Sequence, residues 1–289
     1  MLRLDASGIE WITGRVLEAV VRHQTLEPAA LTFLLRRYGA THRDDLRDAL
    51  DPALDRAAAG VPRLEASEDR AGWLVVFGEA AAMSDAASLR KAAADLISHL
   101  RREWPTSTLV DGSMRSIAAC LAAAGACNPR ELIPDAIDEL ERIVGAAYRP
   151  GEGMAHEIGR PLFARGDLGD QVGAAGALLS AYLVTGRLPY SMLAEELMRC
   201  ARRTWWDVER GGFLPPKPFA QNGEAALVLC RLAALHRDAT YRGAAVVAPE
   251  ADYAMDAMRI LAAQTAALTD GGLDAALFGL ALHELLSLR

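Results

Sequence analysis

The stretch LGDQVGAAGALLSAYLVTGRLPYSMLAEELMRCARRTWWDVERGGF (168–213) holds two kinds of helix in one hairpin. Its first half is apolar nearly all round and ends at Thr185-Gly186. An amphipathic helix restarts at Pro189 and gives way to an aromatic and acidic loop. A helix apolar on every face must be surrounded by protein, whereas an amphipathic one keeps a face in water. The hairpin therefore predicts two layers, inner and outer.

The same alternation extends in both directions. AGWLVVFGEAAAM (71–83), SMRSIAACLAAAGA (113–126), NGEAALVLCRLAAL (222–235) and GGLDAALFGLALHELLSL (271–288) are further apolar segments, and LTFLL marks another over about 28–38. Amphipathic segments carry Ile9, Ile12, Val16 and Val20, then Leu89, Ala93, Leu96 and Leu100, then Ile133, Ile137, Leu140 and Val144, each at helical spacing. Another runs over about 44–59, and the helical stretch 239–264 must break at Pro249. Val75-Val76 suits a strand, but the length of its segment favours a helix. Gly39 reads as a left-handed C-cap, Thr41 with Asp44 as the start of the next helix, and Asn128, Pro129 and Glu131 as another start.

About six helices of each kind alternate, and the apolar ones begin roughly 40 to 57 residues apart, a helical-repeat spacing. The expected fold is all-α, one domain over 1–289, an (α/α)6 toroid whose inner helices line a central shaft. An open HEAT-like α-solenoid is the alternative.

Composition narrows the function classes. The chain has 289 residues, 52% hydrophobic and 6% aromatic, enough to bury a large core. A formal net charge of −7 argues against a nucleic-acid partner, which needs a clustered basic surface. The N-terminus shows no basic region followed by an apolar run, and no apolar segment reaches membrane-spanning length without charge. Cys120, Cys127, Cys200 and Cys230 show no C-x-x-C spacing and read as reduced core thiols. A cytoplasmic protein is expected, and nothing in the sequence names a protein partner.

The links decide where a site belongs. Inner-to-outer links are short (GATHRDD, SDAAS, GACNP, TGRLPY, HRDATY), whereas outer-to-inner links such as YRPGEGMAHEIGRPLFARGD and WWDVERGGFLPPKPFAQN are long and rich in Gly, Pro, Trp and acids. In a toroid the two classes fall on opposite rims. Binding sites are usually built from long loops on a rigid scaffold, so the rim at the inner-helix N-termini is the candidate mouth.

Asp170 and Gln171 stand in the first turn of an inner helix. A carboxylate there is stabilised as the anion and suits a general base or ligand acceptor, or it simply caps the helix. Gln221, Asn222 and Glu224 take the corresponding place on the next inner helix, and Asp111 and Asp274 lie near the starts of two others. Carboxylates facing each other across a shaft can divide acid and base work on a glycosidic bond, and the same residues can all be caps. His156 in the longest loop is a candidate proton shuttle or a surface hydrogen-bonder, with Arg160 beside it to orient a ligand. Trp73, Trp104, Trp205 and Trp206 map to the same rim, where flat rings stack on sugars or pack loops onto helix ends. His156-Glu157 lacks the second histidine of a zinc helix, GEG lacks a dinucleotide fold's spacing, and 207–212 misses a calcium loop's ligand series. No metal and no cofactor are expected.

Leu168-Gly169-Asp170-Gln171, followed in order by ALLSAYLVTG, AEEL, WWDVERGGF and NGEAALVLCRLAAL, resembles the C-terminal toroid of the thioredoxin-like, spermatogenesis-associated protein family. The match covers about 155–235. The resemblance implies the six-hairpin toroid superfamily, which also holds N-acylglucosamine 2-epimerase-like isomerases and many glycoside hydrolases. This sequence shows no thioredoxin-like segment with its cysteine motif, so no redox role is carried over, and the family supplies no settled chemistry. Epimerases of the superfamily use a histidine pair that His156 and His283, expected on opposite rims, do not supply.

The expected function is binding of a small carbohydrate or polyol at the long-loop rim, as a sugar isomerase, epimerase or glycoside hydrolase. Asp170, Glu224 and His156 would carry acid–base work, and Gln171, Gln221, Asn222, Arg160, Asp111, Asp274, Trp73 and Trp206 would hold the ligand. The alternative is a non-catalytic toroid acting as a binding or protein-interaction module.

Overall fold

A computed structural model of the chain describes residues 2–23, 26–60, 67–127, 132–160, 164–214, 218–268 and 275–288. Among these the helices are α1 (Ala6–His23), α2 (Pro28–Thr41), α3 (Asp44–Gly60), α4 (Ser67–Met83), α5 (Ala87–Glu103), α6 (Val110–Cys127) and α7 (Leu132–Ala147). They continue as α8 (Leu168–Thr185), α9 (Leu188–Trp205), α10 (Pro218–Arg237), α11 (Ala239–Ala244), α12 (Tyr253–Gln264) and α13 (Ala275–Ser287).

The apolar helices α2, α4, α6, α8, α10 and α13 pack side to side in that order, and α13 returns against α2. That last contact makes the fold a closed (α/α)6 toroid and removes the solenoid alternative. The amphipathic helices α3, α5, α7, α9 and α12 pack outside the ring, and α1 completes the outer layer by lying on α13 and α2. The two ends of the chain thus close the ring together. Phe33, Phe77, Ile117, Leu179 and Phe278 lie on inner helices within one continuous buried core. No described helix is long and apolar enough to cross a membrane, and the four cysteines are free.

Two local expectations are corrected. Gly39 does not end its helix: α2 runs one more turn, and His42 takes the left-handed conformation at φ 52°. Its N–H donates to the Tyr38 carbonyl at 2.7 Å, and its ring meets Tyr38 edge-on. Thr41 therefore belongs to α2, with its hydroxyl donating to the Arg37 carbonyl. The expected cap at Asn128, Pro129 and Glu131 lies outside the described residues.

Two long links also contain strands where the sequence reads only as loop. In the first, β1 (Tyr148–Arg149) pairs with β2 (Gly153–Met154), and in the second β3 (Trp206–Asp207) pairs with β4 (Gly212–Phe213), both antiparallel. The turn of the second hairpin is organised by Asp207, whose carboxylate accepts from the Glu209 and Arg210 N–H groups at 2.9 and 3.0 Å.

Candidate functional site

All six inner helices contribute to a cavity of about 370 Å³ along the shaft, within the size range of small-molecule sites. Its wall is mostly small and aliphatic, with Ala118, Ala122, Val172, Gly176 and Leu227 among its residues. Arg36, Glu79, Arg115, Glu224 and Arg231 supply the charge, and none of the described lining residues is aromatic.

At the end formed by the inner-helix N-termini, Arg115 of α6 grips Glu224 of α10 with both Nη atoms, each at 2.6 Å. Its Nε donates to Asp111 at 2.7 Å, one turn back on its own helix. Burial works against the guanidinium's charge, but Glu224 and then Asp111 more than offset it and hold the pKa above its ordinary value. A Cβ at Gly173 would stand 2.6 Å from Asp111 Oδ1, so the glycine leaves room for that carboxylate where Arg115 holds it. The triad therefore ties α6 to α10 at the mouth, with α8 packed against both helices. It also occupies both oxygens of Glu224, which suits that group to orienting a ligand better than to donating a proton.

Asp170 performs two tasks at once. Its carboxylate accepts from the Asp167 N–H at 2.8 Å while Asp167 accepts from the Asp170 N–H at 3.2 Å, a reciprocal cap on α8. The same carboxylate meets His156 Nδ1 at 3.0 Å. Asp170 is 0% exposed, whereas the His156 side chain is 51% exposed. Burial pushes the Asp170 pKa up to about 6 against the opposing hydrogen bond and charge of His156. The hydrogen bond and charge of Asp170 in turn raise the His156 pKa. The histidine is held in place by its backbone, whose carbonyl accepts from the Val110 N–H at 3.0 Å while Glu157 bridges to Leu109. The long link thus crosses the start of α6, the helix that carries Asp111 and Arg115.

Gln171 and Asn222 have equivalent roles in successive repeats. Gln171 accepts from the Met154 N–H at 2.8 Å and donates to the Met154 carbonyl at 2.9 Å. Asn222 does the same to Phe213, at 2.8 and 2.9 Å. Each amide thus completes the second strand of a hairpin from the start of the next inner helix, and neither amide is left for a ligand. Gly153 sits in this lock at φ 87°, and a Cβ there would lie 2.4 Å from Gln171 Oε1. Gly153→Ala is expected to cost about 2 kcal/mol, measured by urea unfolding, because the residue would be strained and the amide displaced.

The other expected ligand residues are dispersed. Arg160 pairs with Glu157 on the surface. Trp73 is 8% exposed and stacks on Phe77, and Trp104 is buried with its indole N–H on Ser116. Trp206 packs edge-on to Phe213 beneath the Arg202 guanidinium. Gln221 keeps a buried Oε1 without a partner among the described residues. Asp274 lies outside the described residues.

The far end of the shaft has a second charge cluster that sequence reasoning missed. Arg36 of α2 pairs with Glu79 of α4 and Glu284 of α13, each at 2.8 Å, and Arg231 of α10 stands nearby. The signal was present in the sequence: Arg36, Glu79, Arg115 and Arg231 are charges set within predominantly apolar inner helices.

No protein-family model matches the chain, and no curated protein is similar to it at a significant level. Solved structures do share its shape. The GH76 α-mannanase of Bacteroides thetaiotaomicron superposes with a TM-score of 0.67 at 8% identity, over 90% of this chain and 84% of that one. The unsaturated glucuronyl hydrolase of Bacillus sp. GL1 gives 0.66 at 13% identity, over 88% and 84%. The GH76A α-1,6-mannanase of Salegentibacter gives 0.56 at 14% identity, over 70% of this chain and only 61% of that one. At these identities the likeness is one of fold, and the fold is the closed (α/α)6 toroid.

Proposed function

We propose that this toroid binds a small carbohydrate or polyol in the shaft, entering at the end where Asp111, Arg115 and Glu224 converge. The observation that carries the reading is the cavity itself: six helices leave about 370 Å³ of space with a fixed polar network at one end. The toroids of similar shape include proteins whose names give α-mannanase and glucuronyl hydrolase activities, which supports a sugar as the ligand class. The resemblance of 155–235 to the spermatogenesis-associated family adds the same fold and no chemistry of its own.

His156, on the link that crosses the start of α6 rather than in the cavity wall, is the proton-transferring group in this reading, with Asp170 as its positioning partner. A buried carboxylate on Nδ1 fixes the tautomer and leaves Nε2 as the base. This arrangement supplies one base and not the histidine pair of the superfamily's epimerases, so it suits a one-base isomerisation better than glycoside hydrolysis, which needs one free carboxylic acid and one free carboxylate. Glu224 is clamped by Arg115, and Asp170 is enclosed by its cap and His156. The Salegentibacter mannanase is inactive when two adjacent aspartates are replaced, whereas the sole Asp-Asp dipeptide here, Asp44-Asp45, begins an outer helix. The four free cysteines fit a reducing cytoplasm.

The competing reading is a non-catalytic binding module, favoured by the full engagement of Glu224. A thermal-shift screen against monosaccharides, short glycans and polyols tests the binding claim, since a ligand at 100 times its Kd stabilises by about 2.7 kcal/mol. A shift with one sugar class is expected, and its absence across the screen overturns the proposal. With a binding sugar in hand, His156→Gln is expected to retain the shift and lose turnover. A wild-type protein that binds without turnover decides for the module.

A further inference from the structure

Three arginines line the shaft, and carboxylates match two of them. Arg115 holds Glu224 and Asp111, and Arg36 holds Glu79 and Glu284. Arg231 has no such match: among the described residues it makes neither a hydrogen bond nor an ion pair. Burial first, and then the nearby Arg36, pull its pKa below the ordinary guanidinium value, while Glu284 and Glu79 attract it only from a distance. Arginine does not shed its proton in proteins, so the charge stays. The partly exposed Arg231 side chain therefore presents its donors to the cavity with no protein acceptor on them, a fixed positive charge free to take a ligand's anion.

We infer that the Arg231 end of the shaft is an anion subsite, taking the carboxylate or phosphate of a sugar acid or sugar phosphate whose hydroxyls extend toward Arg115. This rests on the carbohydrate reading of the same cavity and narrows it to an anionic substrate class. Glu224 and Arg231 are seven residues apart on one face of α10, about 10 Å of helix rise, and both line the cavity. Between them on α10 lie Leu227 and Val228, which line the wall and do not compete for an anion. The planar fork of Arg231 suits the paired oxygens of either group. An anion there would also stand between Arg231 and the like charge of Arg36. A neutral sugar leaves the charge unmatched, and selectivity arises from that difference.

The test is calorimetric titration of the full chain with glucose, glucuronate, glucose 6-phosphate and inorganic phosphate, on wild type, Arg231→Met and Arg231→Lys. Methionine removes an unmatched charge and retains an unbranched side chain, so this variant is expected to fold. Wild type is expected to bind at least one of the two anionic sugars tenfold or more tightly than glucose, the stronger of them identifying carboxylate or phosphate. Arg231→Met is expected to erase that advantage, so that the anionic sugars bind no more tightly than glucose does to the same variant, and Arg231→Lys to restore part of it. If glucose binds and the anionic sugars gain nothing, or if Arg231→Met keeps the preference, the subsite is wrong and the carbohydrate reading survives. If no sugar binds but phosphate binds to wild type and not to Arg231→Met, the subsite stands and the carbohydrate reading falls. Absence of binding by all four probes overturns both.

Discussion

The Asp170→Asn variant is expected to flatten the pH dependence of stability between about pH 4 and pH 7, where wild type loses about 3 kcal/mol relative to it. Burial lifts the Asp170 pKa from 3.8 to about 6 in the folded chain, and each pH unit of difference is worth about 1.4 kcal/mol. A group whose folded pKa is raised gives stability that is whole below the unfolded pKa and is lost as pH climbs through the folded one. His156 has the same sign, since its pKa is raised by Asp170, so the decline continues beyond its ordinary 6.5. Asparagine removes both contributions while retaining an acceptor for the Asp167 N–H. Urea melts of the two proteins at half-unit pH steps measure the difference, and parallel profiles would sink the assignment. The same substitution turns an amide donor toward Nδ1 and moves the ring proton to Nε2. Turnover resting on His156 should then fall by about 10²–10⁴-fold, the usual contribution of general acid–base catalysis.

Arg115→Met is expected to destabilise the chain by about 2–3 kcal/mol at neutral pH. Removing one partner of a buried ion pair costs about 3–5 kcal/mol, and the partial exposure of Glu224, 25%, places this case lower. For a chain of this size the melting temperature should drop by roughly 3–5 °C. Without the guanidinium, Asp111 and Glu224 are left as two partly buried carboxylates deprived of their cation. The double variant Arg115→Met with Glu224→Leu is expected to recover part of the loss, because replacing both partners with apolar groups is far cheaper than orphaning one. A single variant as stable as wild type at pH 7.5 would show that the triad does not hold the mouth together.

Much of the architecture is legible in the sequence because it is written locally. The all-round apolarity of 71–83, 113–126 and 168–185 requires an inner layer, and the helices over those residues form it. The rim on which Asp111, Asp170 and Glu224 stand is legible in the same way, since link length separates the two ends of the shaft. What each residue does there is less legible. Gln171 and Asn222 look like site amides from their position, yet each spends its hydrogen bonds on a strand formed in the preceding link. Those two-residue strands have no periodicity to read and depend on an amide from the next helix. Arg115 appears in the sequence as a lone cation in an apolar helix, and its partner Glu224 is 109 residues away.

By itself the sequence determined which helices are inner, which are outer, and which rim carries the long links, because hydrophobic periodicity and link length are properties of short windows. Only the tertiary structure decided that the array closes, through α13 against α2 and α1. It also decided which shaft charges meet and that Arg231 meets none, because those pairings depend on how six helices are rotated about their axes once the ring has formed.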